Sequence, residues 1–313
     1  MMNVQKAEAI GDFIKNALKD SSHTVIPNVS ADKGIWHVVT HFNGTFYLFF
    51  ATDDRPNINL FTSSDGYVFV EHENNPILSA GKKGAWDDLY TEPHSILRVA
   101  KRWRIVYGGR GFCDSGIWKL VPKILRRRST LWLSNKLGNK NIWRAGIAES
   151  EDLISWTKYE KNPVFSVPNM HVADPRVVYF KDKFRMYYLS SKSGTFLATS
   201  EDGISWENSR INPVFDEGAL AAFIPLEDIL IAFYRSSSTT NIAFSDDGIH
   251  WVDYTKNPVL SPKTLPYDCK QIVWPYAVQA DEELYLYYQI VDSKGKWKLV
   301  VTSINLRNVL NKV

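Results

Sequence analysis

An eighteen-residue pattern occurs four times in this chain, and it limits the fold more than any other feature. The copies are FTSSDGYVFVEHENNPIL at 61–78, AESEDLISWTKYEKNPVF at 148–165, ATSEDGISWENSRINPVF at 198–215 and AFSDDGIHWVDYTKNPVL at 243–260. In each, a Ser stands two residues before an Asp (Asp65, Asp152, Asp202, Asp247), and an Asn-Pro begins ten residues after that Asp. A spacing kept four times is an internal repeat, to be read before anything else. Aromatic and β-branched alternation precedes every copy: GTFYLFF (44–50), RWRIVYG (102–108), KFRMYYL (183–189) and DILIAFY (228–234). A fifth such run, ELYLYYQ (283–289), leads into KWKLVVTSI (296–304) with no signature after it. Period-two alternation with short turns predicts strands. Five β-units of about 45–50 residues predict an all-β chain, a five-bladed β-propeller.

The signature has a mechanical reading. Its Asp caps backbone N–H groups of a tight turn, and the following Gly supplies a left-handed conformation. Trp156, Trp206 and Trp251, with Phe69 in the first copy, are expected between neighbouring sheets, and Asn-Pro ends each outer strand. The fifth unit lacks an outer strand, and HTVIPN (23–28) is expected to supply it, removing an exposed edge. The blades then span 30–78, 79–165, 166–215, 216–260 and 261–307 of one domain, 1–313, with a helical extension over 1–22. Ile10, Phe13, Ile14 and Leu18 fall near helical spacing and predict a helix over roughly 4–19.

Composition excludes some classes. With 44% hydrophobic residues and 11 Trp, the chain can build a substantial core and is not of the disordered kind. Cys113 and Cys269 form no CxxC, which argues for a reducing compartment. The first residues do not read as a signal peptide, and no run reaches the ~18 apolar residues of a membrane span. A cytoplasmic protein is expected. The net charge of +3 hides an uneven distribution: residues 98–144 hold 13 Lys/Arg and one acid, Asp114. The segment 108–144 reads as a basic insertion in blade two.

In a propeller the starts of the innermost strands converge on one axis. There the sequence places Trp36 and His37 in the first unit, Asp88, Glu92 and His94 in the second, and His171, Asp174 and Arg176 in the third. Asp216 and Glu217 stand in the fourth, and Trp274 and Tyr276 in the fifth. Glu92-Pro93, Asp174-Pro175 and Trp274-Pro275 occupy matching positions. Carboxylates crowded in an aromatic-lined concavity push their pKa values apart, so that one holds a proton while another stays ionised. Glycosidic-bond cleavage uses such a pair. The aromatic residues could stack on a sugar ring, and the histidines could bind sugar hydroxyls or a central ion. No cluster has transition-metal spacing, and no cofactor is required.

The pattern WDDLYTEPHSIL, then ADPRVVYFKDKFRMYYL, then SEDGISW…NPVF resembles the five-bladed propeller glycosidases of glycoside hydrolase family 43 and its relatives in families 32, 62, 68 and 130. The resemblance spans nearly the whole chain. It implies an Asp base, a tuning Asp and a Glu acid on successive blades. Asp174 matches the tuning Asp, and Glu217, in Glu-Gly-Ala, resembles the acid of the family's Glu-Gly-Pro. Trp36-His37 stands where the family has Asp-Pro, so Glu92 is expected to be the base, with Asp32 or Asp88 as alternatives. The catalytic set is then Glu92, Asp174 and Glu217. The substrate-binding set is Trp36, His37, Asp88, His94, His171, Arg176, Trp274 and Tyr276.

The function expected on this basis is that of an inverting glycoside hydrolase acting on a carbohydrate. Alternatives are a glycoside phosphorylase or glycosyltransferase and a non-catalytic glycan-binding propeller. The insertion would meet an anionic glycan, a sugar phosphate or an anionic membrane surface. Nucleic acid is not expected, because no recognition fold accompanies the basic patch.

Overall fold

The computed structural model describes residues 2–32, 34–111, 142–190 and 192–306. Most of the basic insertion, 112–141, therefore lies outside the described residues, and so does Cys113.

Five four-stranded antiparallel sheets follow one another along the chain. Blade one is β2 (Ile35–Phe42), β3 (Thr45–Thr52), β4 (Asn59–Ser63) and β5 (Val70–Glu71). Blade two is β6 (Tyr90–Val99), β7 (Arg102–Arg110), β8 (Arg144–Ser150) and β9 (Thr157–Lys158), with the insertion between β7 and β8. Blade three is β10 (Ala173–Phe180), β11 (Lys183–Leu189), β12 (Thr195–Ser200) and β13 (Glu207–Asn208). Blade four is β14 (Ala219–Leu226), β15 (Ile229–Ser236), β16 (Thr239–Ser245) and β17 (Val252–Asp253). Blade five is β18 (Gln271–Ala280), β19 (Glu283–Val291), β20 (Trp297–Asn305) and, as its outer strand, β1 (Thr24–Ala31). The expected closure is therefore present, with Thr24 opposite Val301 and Ala31 opposite Trp297. The first strands of the blades adjoin in a ring: β2 meets β6, then β10, β14, β18 and β2 again.

The repeat chemistry appears in every copy. Asp65, Asp152, Asp202 and Asp247 each accept two backbone N–H bonds from the residues two and three positions on. Burial opposes ionisation at Asp152, Asp202 and Asp247, but these N–H groups and the neighbouring serine hydroxyls, with the His250 ring foremost at Asp247, outweigh it and hold the carboxyls at about 2. Gly66, Gly203 and Gly248 take φ of 78°, 69° and 73°, whereas the second copy puts Leu153 there at 67°. Each signature Asn does more than end a strand. Asn75 accepts from Leu60 N–H and donates to Leu60 C=O, so its amide imitates a paired peptide, and Asn162, Asn212 and Asn257 do the same.

The blades are joined through these turns. Arg104 donates to Asp202 C=O, Arg185 to Asp247 C=O, Tyr187 to Gly248 C=O and Tyr287 to Gly66 C=O. The signature aromatics pack as expected, Trp156 edge-on to Phe49 of blade one and Trp251 edge-on to Tyr187 of blade three. Helix α1 (Val4–Asp20) starts at Asn3, whose side chain accepts from Lys6 N–H. It buries Ala7, Ile10, Ile14 and Leu18 against blades four and five, with Phe13 only partly covered. No helix among the described residues is long and apolar enough to cross a membrane.

Candidate active site

Four of the five innermost strands carry one extra residue near their start. The register shifts between Pro93 and Ser95 in β6, Ala173 and Arg176 in β10, Leu220 and Ala222 in β14, and Val273 and Tyr276 in β18. Proline cannot donate to a ladder, and a bulge is where that loss costs least. The three matching X-Pro pairs sit at these bulges, where strands re-aim their side chains. Asp174 and Trp274 take left-handed φ of 49° and 50°, uncommon for non-glycine residues and concentrated at functional sites. Strand β2 has no such proline and runs without a shift from Ile35 to Phe42.

The bulges of β6 and β10 bring two carboxyls to one imidazole. His94 Nδ1 stands 3.2 Å from Asp174 Oδ1, and Nε2 stands 3.9 Å from Glu92 Oε2. The side chains of His94, Glu92 and Asp174 are 1%, 4% and 14% exposed, so the group is almost dry. Gly108 makes room for it, since a Cβ there would lie 2.8 Å from His94 Nε2. Three hydrogen bonds tie the two bulges together. Arg176 donates to His94 C=O at 2.8 Å, Val177 N–H donates to Ser95 Oγ at 2.7 Å, and Ser95 donates to Pro175 C=O at 3.5 Å. Arg176, 2% exposed, also lies 5.7 Å from the centre of the Tyr276 ring. Behind Arg176 and Tyr276 is a cavity of about 220 Å³ walled by Ile96, Val178, Ala222 and Phe223.

Electrostatics separates these groups. Burial, reinforced by the Asp174 charge, pushes the Glu92 carboxyl well above the ordinary glutamate range. Burial also raises Asp174, against the pull of Arg176 and Arg235. Burial and the Arg176 charge hold His94 well below the usual histidine range, so it is neutral between the two acids. His37, fully buried on β2, is drawn down to about 3 by the same causes, and Gln289 of blade five meets its Nδ1 at 2.9 Å.

Glu92, His94, Asp174, Arg176, His37 and Tyr276 thus come together, from four blades. Trp274 lies at the same rim, its ring 5.5 Å from the Arg235 guanidinium. His171 accepts from Trp143 N–H, and burial and Arg110 lower its pKa. The remaining residues have other partners. Glu217 is exposed ahead of β14, close enough to Asp253 and Tyr234 to raise both. Asp88 is buried in the loop before β6, accepting from Gly84 N–H. Trp36 lies over Gly34, and Asp32 pairs with Lys296 at the edge of β1. Asp53, Arg110, Trp143 and Arg235 escaped the sequence reading. Asp53 and Arg110 act on Glu92, and Arg235 acts on Asp174. In an antiparallel blade the end of the second strand lies beside the start of the first. Asp53, Arg110 and Arg235 all occur there, and that rule would have found them.

No protein-family model and no curated protein sequence matches the chain. Solved structures do. A glycoside hydrolase is 15% identical with a TM-score of 0.70, over 95% of this chain and 94% of that one. A family 117 glycoside hydrolase of the marine bacterium Zobellia galactanivorans is 14% identical with a TM-score of 0.62, over 91% and 90% of the two chains. A thermostable family-43 glycoside hydrolase is 12% identical with a TM-score of 0.62, over 89% and 91%. At these identities the likeness shows architecture: the chain has the five-bladed β-propeller fold of these glycoside hydrolases.

Proposed function

We propose that the chain is a carbohydrate-active enzyme, an inverting glycoside hydrolase working in the propeller funnel. The observation that carries this reading is the buried Glu92–His94–Asp174 group. It joins two carboxyls of different surroundings where the innermost strands of two blades meet, and glycosidic cleavage uses such a pair. Glu92, its pKa raised by burial and by Asp174, suits the donor that protonates the leaving oxygen. Asp174 tunes it, since the Asp174 charge helps keep that proton in place. Glu217, exposed to solvent, suits activation of the attacking water. This exchanges the roles that the sequence suggests for Glu92 and Glu217. Trp274 and Tyr276 offer faces for the sugar ring. A cytoplasmic setting is part of the same proposal.

The test is turnover of aryl furanosides and pyranosides whose leaving groups differ in acidity, with the product anomer followed by NMR. Glu92→Gln is expected to slow poor leaving groups by about 10²–10⁴ and good ones far less. Equal losses for both would remove Glu92 from the donor role, and no turnover of any glycoside by the wild type would overturn hydrolysis.

A second reading, sugar transfer by a phosphorylase or a glycosyltransferase, is favoured by one observation. Arg110, Arg176 and Arg235 surround the same carboxyls and could hold phosphate. Turnover that appears only on adding inorganic phosphate or an activated donor would select it.

A further inference from the structure

We infer that the funnel holds an oxyanion subsite built on Arg110, and that the sugar it takes is acidic. This rests on the funnel being the sugar site, and it adds the class of sugar.

Arg110 closes β7, and its guanidinium carbon lies 5.1 Å from the centre of the Tyr90 ring and 4.9 Å from that of Trp143. Two ring faces fix the plane of the fork without supplying an opposite full charge. Its Nε is buried with no hydrogen-bond partner among the described residues. Burial pulls the Arg110 pKa down, while Tyr90, Glu92 and Asp53 support its charge. Of these, Glu92 is raised by its burial and by Asp174 and drawn back down by Arg110. Glu92 and Asp53 are the carboxyls that act on Arg110 among the described residues.

The second member is His171. Its Nδ1 accepts from Trp143 N–H at 3.2 Å, so the neutral ring carries its proton on Nε2 and donates from there. Trp143 C=O in turn accepts from Val172 N–H at 2.9 Å, which locks the Trp143–His171 pair. Arg110 lowers the His171 pKa, which places a cation beside a neutral donor. A planar fork, a second N–H donor and two aromatic walls suit a carboxylate, phosphate or sulfate substituent on a sugar. Glu92 neighbours the subsite, so a ring anchored there by its acid group lies against the proton donor.

Calorimetric titration tests this, with galacturonate and glucuronate oligosaccharides, their methyl esters and inorganic phosphate as probes. Wild type is expected to bind the acids about tenfold or more tighter than the esters. Arg110→Met should erase that preference while leaving ester binding, and Arg110→Lys, which keeps charge but not the fork, should retain part of it. Circular dichroism on both variants checks folding. Equal affinity for acid and ester overturns the inference, as does a preference that survives in Arg110→Met or an absence of binding by every probe. Phosphate binding lost in Arg110→Met without any preference for acidic sugars would assign the oxyanion to free phosphate and overturn the acidic-sugar assignment. Acid-selective binding without hydrolysis would sustain this inference and refute the hydrolase.

Discussion

A single carboxyl, Glu92, carries a measurable conflict between stability and chemistry. Its folded pKa lies well above the glutamate value of 4.5 because burial and Asp174 disfavour the charge. The linkage has a definite sign. A raised folded pKa stabilises the protein fully below 4.5, and that stabilisation is lost as pH rises through the folded value. Glu92→Gln keeps the neutral shape and removes the titration. We expect its Tm to exceed the wild type's at pH 8 and to match it near pH 4. A Tm difference that does not change with pH would show that Glu92 has the same pKa folded and unfolded, so that burial does not raise it. Only part of this site is legible in the sequence. Glu92-Pro93 and Asp174-Pro175 announce themselves through proline, whose missing N–H marks a break in a ladder. Arg110 and Arg235 carry no such mark, since an arginine ending a strand reads like any solvated edge. The pairing of both acids with His94 depends on two bulges in different blades, and local sequence does not encode that contact.

Among the elements, the signature turns were the most legible, because their hydrogen bonds stay within three residues of the Asp. The role of the Asn was less so, since its partner strand lies fifteen residues earlier. Helix α1 was read from its apolar spacing, but Phe13 took a flank and Gly11 took the contact face. A Cβ on Gly11 would lie 2.4 Å from Tyr254 Cδ2. The opposing effects can be weighed. Gly→Ala in a helix gains about 1 kcal/mol, whereas overpacking a filled contact costs about 1–3 kcal/mol. The Tyr254 ring is buried, and its hydroxyl donates to Asp12, so it cannot step aside easily. Gly11→Ala should therefore destabilise the protein by up to about 2 kcal/mol in urea unfolding. A stabilised variant would mean that the helix rides loosely on blades four and five.

For the whole molecule, five blades followed from four signatures and one unfinished unit, and the ring closure followed from the missing strand. The part that stayed illegible is the insertion, whose composition fits neither blade nor turn. Closure has its own test. Removing residues 2–31 would take away α1 and β1, leaving β20 as an unpaired edge. The truncated chain should melt lower and elute partly as aggregates in size-exclusion chromatography, and an unchanged monomer with an unchanged Tm would show that the clasp is dispensable. The same clasp has a consequence for synthesis. Strand β1 is made before every strand of blades one to four and long before its partner β20, Thr24 waiting for Val301. Helix α1 waits as long, because blades four and five, which cover its apolar side, are also made late. While the intervening blades are being made, the nascent chain displays a lone strand and an uncovered amphipathic helix, so it has reason to engage a holding chaperone until β20 emerges.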